Sequence, residues 1–217
     1  MAVEAPSQSN APDTPDGQTP QSRIQQRNRR RILDASLEVF STHGYRGATL
    51  DRIARAAGLS KPNLLYYFEG KEAIHRALLT DLLETWIAPL RDLDPEGEPC
   101  AELLGYVRRK LEMSRQYPRE SRLFAGEILQ GAPRMERFLR EVLRPLVDDR
   151  AAVIRRWADQ GRIAPVDPHH LIFSIWALTQ HYADFEAQIR MIRGDGVDPL
   201  EGAEAHLEQH FRRLLAP

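Results

Sequence analysis

An all-α fold is predicted for this chain of 217 residues: a small three-helix unit near the N-terminus, then a larger helical body, about nine helices in all. Three observations predict it. Apolar residues recur at helical spacing in one segment after another. No segment alternates apolar and polar over the length of a strand. Gly- and Pro-rich breaks cut the chain into pieces of helix length, with no internal repeat.

Residues 1–22 are rich in Pro, Ser, Gln and Asn and almost free of large apolar groups. They bury too little surface to offset ordering, so a disordered tail is expected. The basic stretch Arg23 to Arg31 runs into a first helix whose inner face is Ile32, Leu33, Ser36, Leu37 and Phe40, with Gly44 as its stop. Thr49 caps a short helix over 50–57, with Leu50, Ile53, Ala54 and Ala57 inward. Gly58 makes the turn, where a positive φ suits glycine. Ser60 caps a third helix that has Pro62 in its first turn. A unit over 23–72 and a body over 73–217 follow.

In the body, a long helix starts after Gly70, with Ile74, Ala77, Leu78, Asp81, Leu82, Thr85, Trp86 and Leu90 on one side. A loop over 93–99 leads to a helix over 100–116, broken at Tyr117-Pro118. A short mixed helix over 119–130 ends at Gly131-Ala132-Pro133. A charged amphipathic helix over 134–160 bends near Pro145. The next, 167–190, begins almost wholly apolar (Leu171, Ile172, Phe173, Ile175, Trp176, Ala177, Leu178), and an amphipathic helix over 200–215 ends the chain.

Composition narrows the function. An apolar share of 42% fills a core. No apolar run reaches the roughly 20 residues of a membrane span, and the N-terminus has no secretory h-region, so a cytoplasmic protein is expected. The single Cys100 fits a reducing compartment. The net charge of −1 hides a basic module: residues 23–72 carry ten Lys/Arg against five acids, between acidic flanks. Such a module favours a phosphate backbone as ligand. Catalytic signatures are lacking: no phosphate loop, nucleophile elbow or H-E-x-x-H helix. His169-His170 point about 100° apart with no companion ligands, and Asp148-Asp149 sit on a charged face. The expectation is a non-enzyme with no metal and no cofactor.

The stretch from Thr49 to Phe68 carries the chemistry. In a helix-turn-helix the first helix braces and the second lays its N-terminal side chains into the major groove. The candidates here are Lys61, Pro62, Asn63, Leu64, Tyr66 and Tyr67, with Thr49 at the start of the bracing helix. Asparagine pairs bidentately with adenine, lysine reaches guanine or phosphate, and tyrosine hydroxyls suit phosphate oxygens. Lys71 is expected to meet phosphate at the next helix start, and Arg27, Arg29, Arg30 and Arg31 to track the backbone or a minor groove.

The register Thr49-Leu50-x-x-Ile53-Ala54-x-x-Ala57-Gly58-x-Ser60, followed by Tyr67-Phe68-x-x-Lys71-Glu72, resembles the TetR family of bacterial transcriptional regulators. The common pattern has a tyrosine where this chain has Leu65 and a threonine where it has Asn63, which removes one phosphate contact. Trp86-x-Ala88-Pro89-Leu90, Ser121-Arg122-Leu123-Phe124 and Trp176-Ala177-x-Thr179-Gln180-His181-Tyr182-Ala183-Asp184-Phe185 look like the family's pyrimidine-utilisation branch, over about residues 30–192. The resemblance implies a dimer built through helices 167–190 and 200–215 that binds double-stranded operator DNA and a small planar effector, uracil or thymine. The all-round apolar start of helix 167–190 gives a dimer an independent reason, since both its sides need covering.

Trp176, Gln180 and Asp184 recur at i, i+4, i+8 and share a face. An amide pairs twice with a ring that has adjacent carbonyl and N–H groups, and an indole stacks on its flat side. Trp86, Phe124, Trp176 and Gln180, with Glu127 as a second polar group, are therefore expected to line an effector pocket. The expected function is a ligand-responsive repressor of pyrimidine or related nitrogen catabolism genes. The alternatives are a regulator of another small-molecule pathway and an effector-free architectural DNA binder.

Overall fold

The computed structural model describes residues 20–194 and 196–217, and most of the expected tail, residues 1–19, lies outside them. The described residues are helical with no strand, and ten helices with one π segment make up the body and head.

The head is α1 (Pro20–Gly47), α2 (Leu50–Ala56) and α3 (Lys61–Tyr67). Helix α1 starts within the expected tail and is continuous except at Gly44, whose φ of 64° marks the predicted stop. Thr49 caps α2 as expected, its hydroxyl accepting from Arg52 N–H at 3.2 Å. Gly58 turns the chain at φ 60°. Ser60 caps α3 by accepting from Asn63 N–H at 3.3 Å, with Pro62 in the first turn. Ile32, Leu37, Phe40, Ile53, Ala57 and Leu64 close the core of this unit, as the apolar spacing of the three helices requires.

That core does not end at the head. Ile74, Leu79 and Leu83 of α4 (Lys71–Arg91) belong to it, as do Leu123 of α6 (Pro118–Leu129) and Ala132 and Met135 of the turn that follows. A boundary at residue 72 falls in the first turn of α4, and the packing runs on across it. Helix α4 is also buried on more sides than predicted. Asp81 and Thr85 are exposed, while His75, Leu79, Leu83 and Ile87 are buried, because α1, α5 and α6 cover it from several directions.

The second core joins α5 (Pro99–Gln116), α7 (Arg144–Asp159), α8 (Pro168–Asp184) and α10 (Ala203–Leu215) around Trp157, Tyr106 and Phe211. Three boundaries differ from expectation. The helix predicted over 134–160 is a single turn, Glu136–Phe138, then a π segment, Leu139–Leu143, then α7. Pro145 lacks an N–H for the residue one turn back, and the backbone widens just before it. The helix predicted over 167–190 breaks at Phe185 into α8 and α9 (Glu186–Arg193). The last helix starts at Ala203, after a turn in which the Asp198 carboxylate accepts from Leu200 N–H and Gly202 adopts φ 77°.

Candidate DNA-reading face and effector cavity

Helix α3 presents Lys61, Pro62, Asn63, Leu65 and Tyr66 to solvent, with Tyr67 half-buried. Leu64 does not belong to that face. It is fully buried, packed with Phe68 one turn on, so its expected DNA contact is withdrawn. In a helix of seven residues one side must seal the core, and Leu64 is that side, with Phe68 at the C-cap packed into the same core. Lys71 is likewise reassigned. Its Nζ donates to the carbonyls of Tyr45 and Ala48, at 2.8 and 2.9 Å, and lies 4.4 Å from the Tyr45 ring centre. It closes the α1–α2 turn, whose free carbonyls would otherwise lack donors.

The basic start of α1 docks beside the reading helix. Gln25 donates to the Tyr66 hydroxyl at 3.3 Å, and Asn28 to the Tyr67 hydroxyl at 2.9 Å. The Arg29 guanidinium lies over the Phe68 ring. Arg27 and Arg30 are exposed, with Arg30 paired to Asp34 at 3.1 Å. Lys61 pairs with Asp51 across the turn, also at 3.1 Å, an exposed pair that a phosphate can displace at little cost.

In the body, Trp86, Phe124, Trp176 and Gln180 do come together, lining a cavity of about 50 Å³ with Leu83, Tyr106, Lys110 and Leu143 among the others. Trp86 and Phe124 are tilted rings with centres 5.7 Å apart. Trp176 Nε1–H donates to the Tyr106 hydroxyl, which fixes both side chains. Burial pushes the Tyr106 phenol up, so it stays neutral. Trp86 Nε1 is buried without a partner.

Lys110 is the residue that sequence reasoning missed. It is 4% exposed, and its Nζ lies 4.5 Å from the Trp86 ring centre. Burial pulls its ammonium down to about 8, partly offset by the attraction of Asp184. The signal was available: Lys110 falls on the apolar face of α5 among Leu103, Val107 and Leu111, where a lysine needs a reason. Asp184 sits outside the lining, its carboxylate accepting from the Ser121 hydroxyl, and burial pushes it up.

Glu127 does not line the cavity. It is 2% exposed and accepts from Arg134 N–H at 2.8 Å and from its guanidinium at 3.1 Å. It lies one turn past Phe124 on α6, and the 131–135 turn supplies it with nearer donors than any ligand.

A capped helix-turn-helix with a basic approach, set on a helical body that holds a small aromatic cavity, is the architecture of a helix-turn-helix transcriptional regulator. The comparisons agree. Residues 32–78 match the model for bacterial regulatory proteins of the tetR family, and residues 79–213 match that for the YcdC-like protein, C-terminal region. The HTH-type transcriptional regulator RutR of Escherichia coli K12 is 47% identical over 173 residues, 80% of this chain and 82% of that protein. SCO4942 from Streptomyces coelicolor superposes with a TM-score of 0.66 at 26% identity over 87% of this chain and 98% of that one. A tetR-family regulatory protein from Rhodococcus RHA1 superposes at 0.70 with 19% identity over 88% and 98%, a likeness of fold. The chain belongs to the TetR family of transcriptional regulators. No described helix is long and apolar enough to cross a membrane.

Proposed function

We propose that the protein is a homodimeric repressor of pyrimidine or related nitrogen catabolism genes, released from its operator by uracil or thymine. The observation that carries this reading is the cavity. Trp86, Tyr106, Phe124 and Trp176 give it flat ring surfaces among aliphatic ones, and the polar groups on its lining residues are few, among them the Lys110 ammonium, the unpartnered Trp86 N–H and the Gln180 amide. Donors outnumber acceptors there, which suits a ring bearing two carbonyls. Its volume of about 50 Å³ exceeds the roughly 10–15 Å³ that one water needs. The similarity to RutR supports the same branch.

Asn63, Lys61 and Tyr66 are the proposed base and phosphate contacts, with Arg27 and Arg30 tracking the backbone, and Thr49, Pro62 and Tyr67 at the edge of the contact. Phe173, Ala177 and Leu178 leave an apolar outer face on α8, which a second copy would cover with its own α8 and α10. Two heads on a two-fold axis then match a two-fold operator.

The test is calorimetry of uracil, thymine and cytosine with the full chain, alongside operator footprinting with and without each ring. Uracil or thymine binding that erases the footprint, with cytosine weak, is the expected result. A footprint that none of the three rings alters would overturn the pyrimidine reading, in favour of a regulator of another small-molecule pathway or an effector-free architectural binder. A log K against log[salt] plot with no slope would end the DNA reading altogether.

A further inference from the structure

Between the cavity wall and the end of α1 lies a polar cluster in which Glu127 and His75 are buried and Arg134 and Tyr45 half-buried. Phe124 of the cavity wall and Glu127 are one turn apart on α6. The Glu127 carboxylate holds Arg134 twice, and its backbone carbonyl accepts from Ala132 N–H at 2.9 Å. Ala132 is held at φ 55°, the left-handed region, the one non-glycine residue so placed among those described. Backbone strain of that kind persists only where the surroundings impose it. The Arg134 guanidinium lies 3.6 Å from the centre of the Tyr45 ring. Tyr45 belongs to the end of α1, and Lys71 joins its carbonyl to that of Ala48, the residue before the Thr49 cap. His75 packs edge-on against Phe40 and Tyr45, both at 4.8 Å, and burial pulls it down to about 4, so it sits there neutral.

We propose that Glu127, Arg134 and Tyr45 form a clamp that transmits the state of the cavity to the reading head, a claim about regulation that rests on the effector reading above. Three facts argue for a switching role over simple support. The pair joins a buried carboxylate to a half-buried guanidinium, so desolvation of Glu127 offsets much of the attraction and the pair contributes little net stability. Arg134 Nε and His75 Nδ1 are buried with no partner, so the network is incomplete in this state. The other end of α6 is fastened to the far side of the cavity, where Ser121 donates to Asp184, and Arg122 donates to the Ala183 carbonyl at 3.3 Å. A shift of Phe124 to admit a ring therefore moves a helix that is held at one end and clamped to Tyr45 at the other. Arg134 and Tyr45 position the head and touch neither ligand.

The experiment uses the full-length chain with the double substitution Glu127→Gln/Arg134→Met, which leaves no buried charge unpaired, and Arg134→Lys, which keeps the charge and loses the flat stacked group. Uracil affinity without DNA, operator affinity without uracil, and operator affinity at saturating uracil are measured for each. Uracil affinity is expected to stay within about threefold of the parent, while the uracil-induced loss of operator affinity collapses from roughly the 5–150-fold of coupled sites towards one. Hydrogen exchange without any ligand is the second readout. Amides of residues 48–57 are expected to exchange about tenfold faster in the double variant, with those of α5 and α8 unchanged. A coupling ratio equal to the parent's overturns the clamp. Unchanged exchange at 48–57 overturns it as well, whether or not uracil binds. Absence of uracil binding to the parent overturns the effector reading alone, and the exchange result then judges the clamp.

Discussion

Lys110→Met should make the protein more stable and deaf to its effector. The side chain is 4% exposed, and its ammonium falls from 10.5 in water to about 8 in the fold. At about 1.4 kcal/mol per unit, keeping that charge buried at pH 7 costs about 3 kcal/mol. Methionine fills nearly the same volume and keeps a sulfur contact with Trp86, but it loses the cation–ring attraction, about 0.5–2 kcal/mol. A net gain of about 2 kcal/mol is expected, which for a chain of this length raises the melting temperature by about 4–8 °C. The sign with pH follows from a lowered folded value. Between about 8 and 10.5 the unfolded chain binds the proton that the folded chain has shed, so the parent gains stability as pH rises through that window. The advantage of the variant should accordingly shrink by about 2 kcal/mol between pH 7 and 9.5. Paired thermal melts at equal protomer concentration, repeated at several pH values, read both effects. A variant less stable than the parent at pH 7, or an advantage that ignores pH, would refute the reasoning that Lys110 is a charge retained for binding at the expense of stability.

The other expected outcomes concern the head and the outer face. Asn63→Ala should weaken discrimination at one operator position by about 1–3 kcal/mol in competition binding, and unchanged preference removes Asn63 from the reading set. Gly58→Ala should lower the unfolding free energy, read by denaturant titration, by about 1 kcal/mol or more, since φ is 60° and the new Cβ would collide with Arg31 Nη2. Adding Arg31→Ala should relieve the steric share and leave the backbone share. Phe173→Glu should yield a helical monomer by sedimentation and circular dichroism, because a carboxylate cannot be covered by an apolar partner face. A dimer that survives this change would place the interface elsewhere.

The head was the most legible part of the sequence, because its signals are local. A cap hydroxyl, a proline in a first turn and a glycine at a turn each act within four residues, and Thr49, Ser60, Pro62 and Gly58 all stand where the spacing put them. Leu64 was misplaced although its spacing to Phe68 pointed inward; the polar run around it drew attention from the apolar pair. The cavity was legible in its rings and in Gln180, because helical spacing put Trp176 and Gln180 on one side of α8. Lys110 shares the apolar face of helix 100–116 with Leu103, Val107 and Leu111, but only the packing of Trp86 beside it shows where its ammonium goes. Glu127 and Arg134 could not have been read from spacing. Their pairing depends on a turn with Ala132 at positive φ, which only the packing of Leu123, Ala132 and Met135 into the head fixes.

The loop after α4 is stitched down firmly. Arg150 donates to the Leu93 carbonyl, Arg156 and Trp157 to that of Pro95, and Arg162 to that of Gly97. Four donors from one neighbouring segment pin the loop that follows the C-terminal end of α4. The helix runs 21 residues, about 31 Å. Trp86 sits about 7 Å from the pinned end and Lys71 about 30 Å from it. A tilt that displaces the indole by about 0.5 Å would carry the head's end of the rod by about 2 Å, a fourfold gain set by leverage alone. Were the proposed effector to enter there, a small ring would change the separation of the two reading heads by leverage as well as through the clamp.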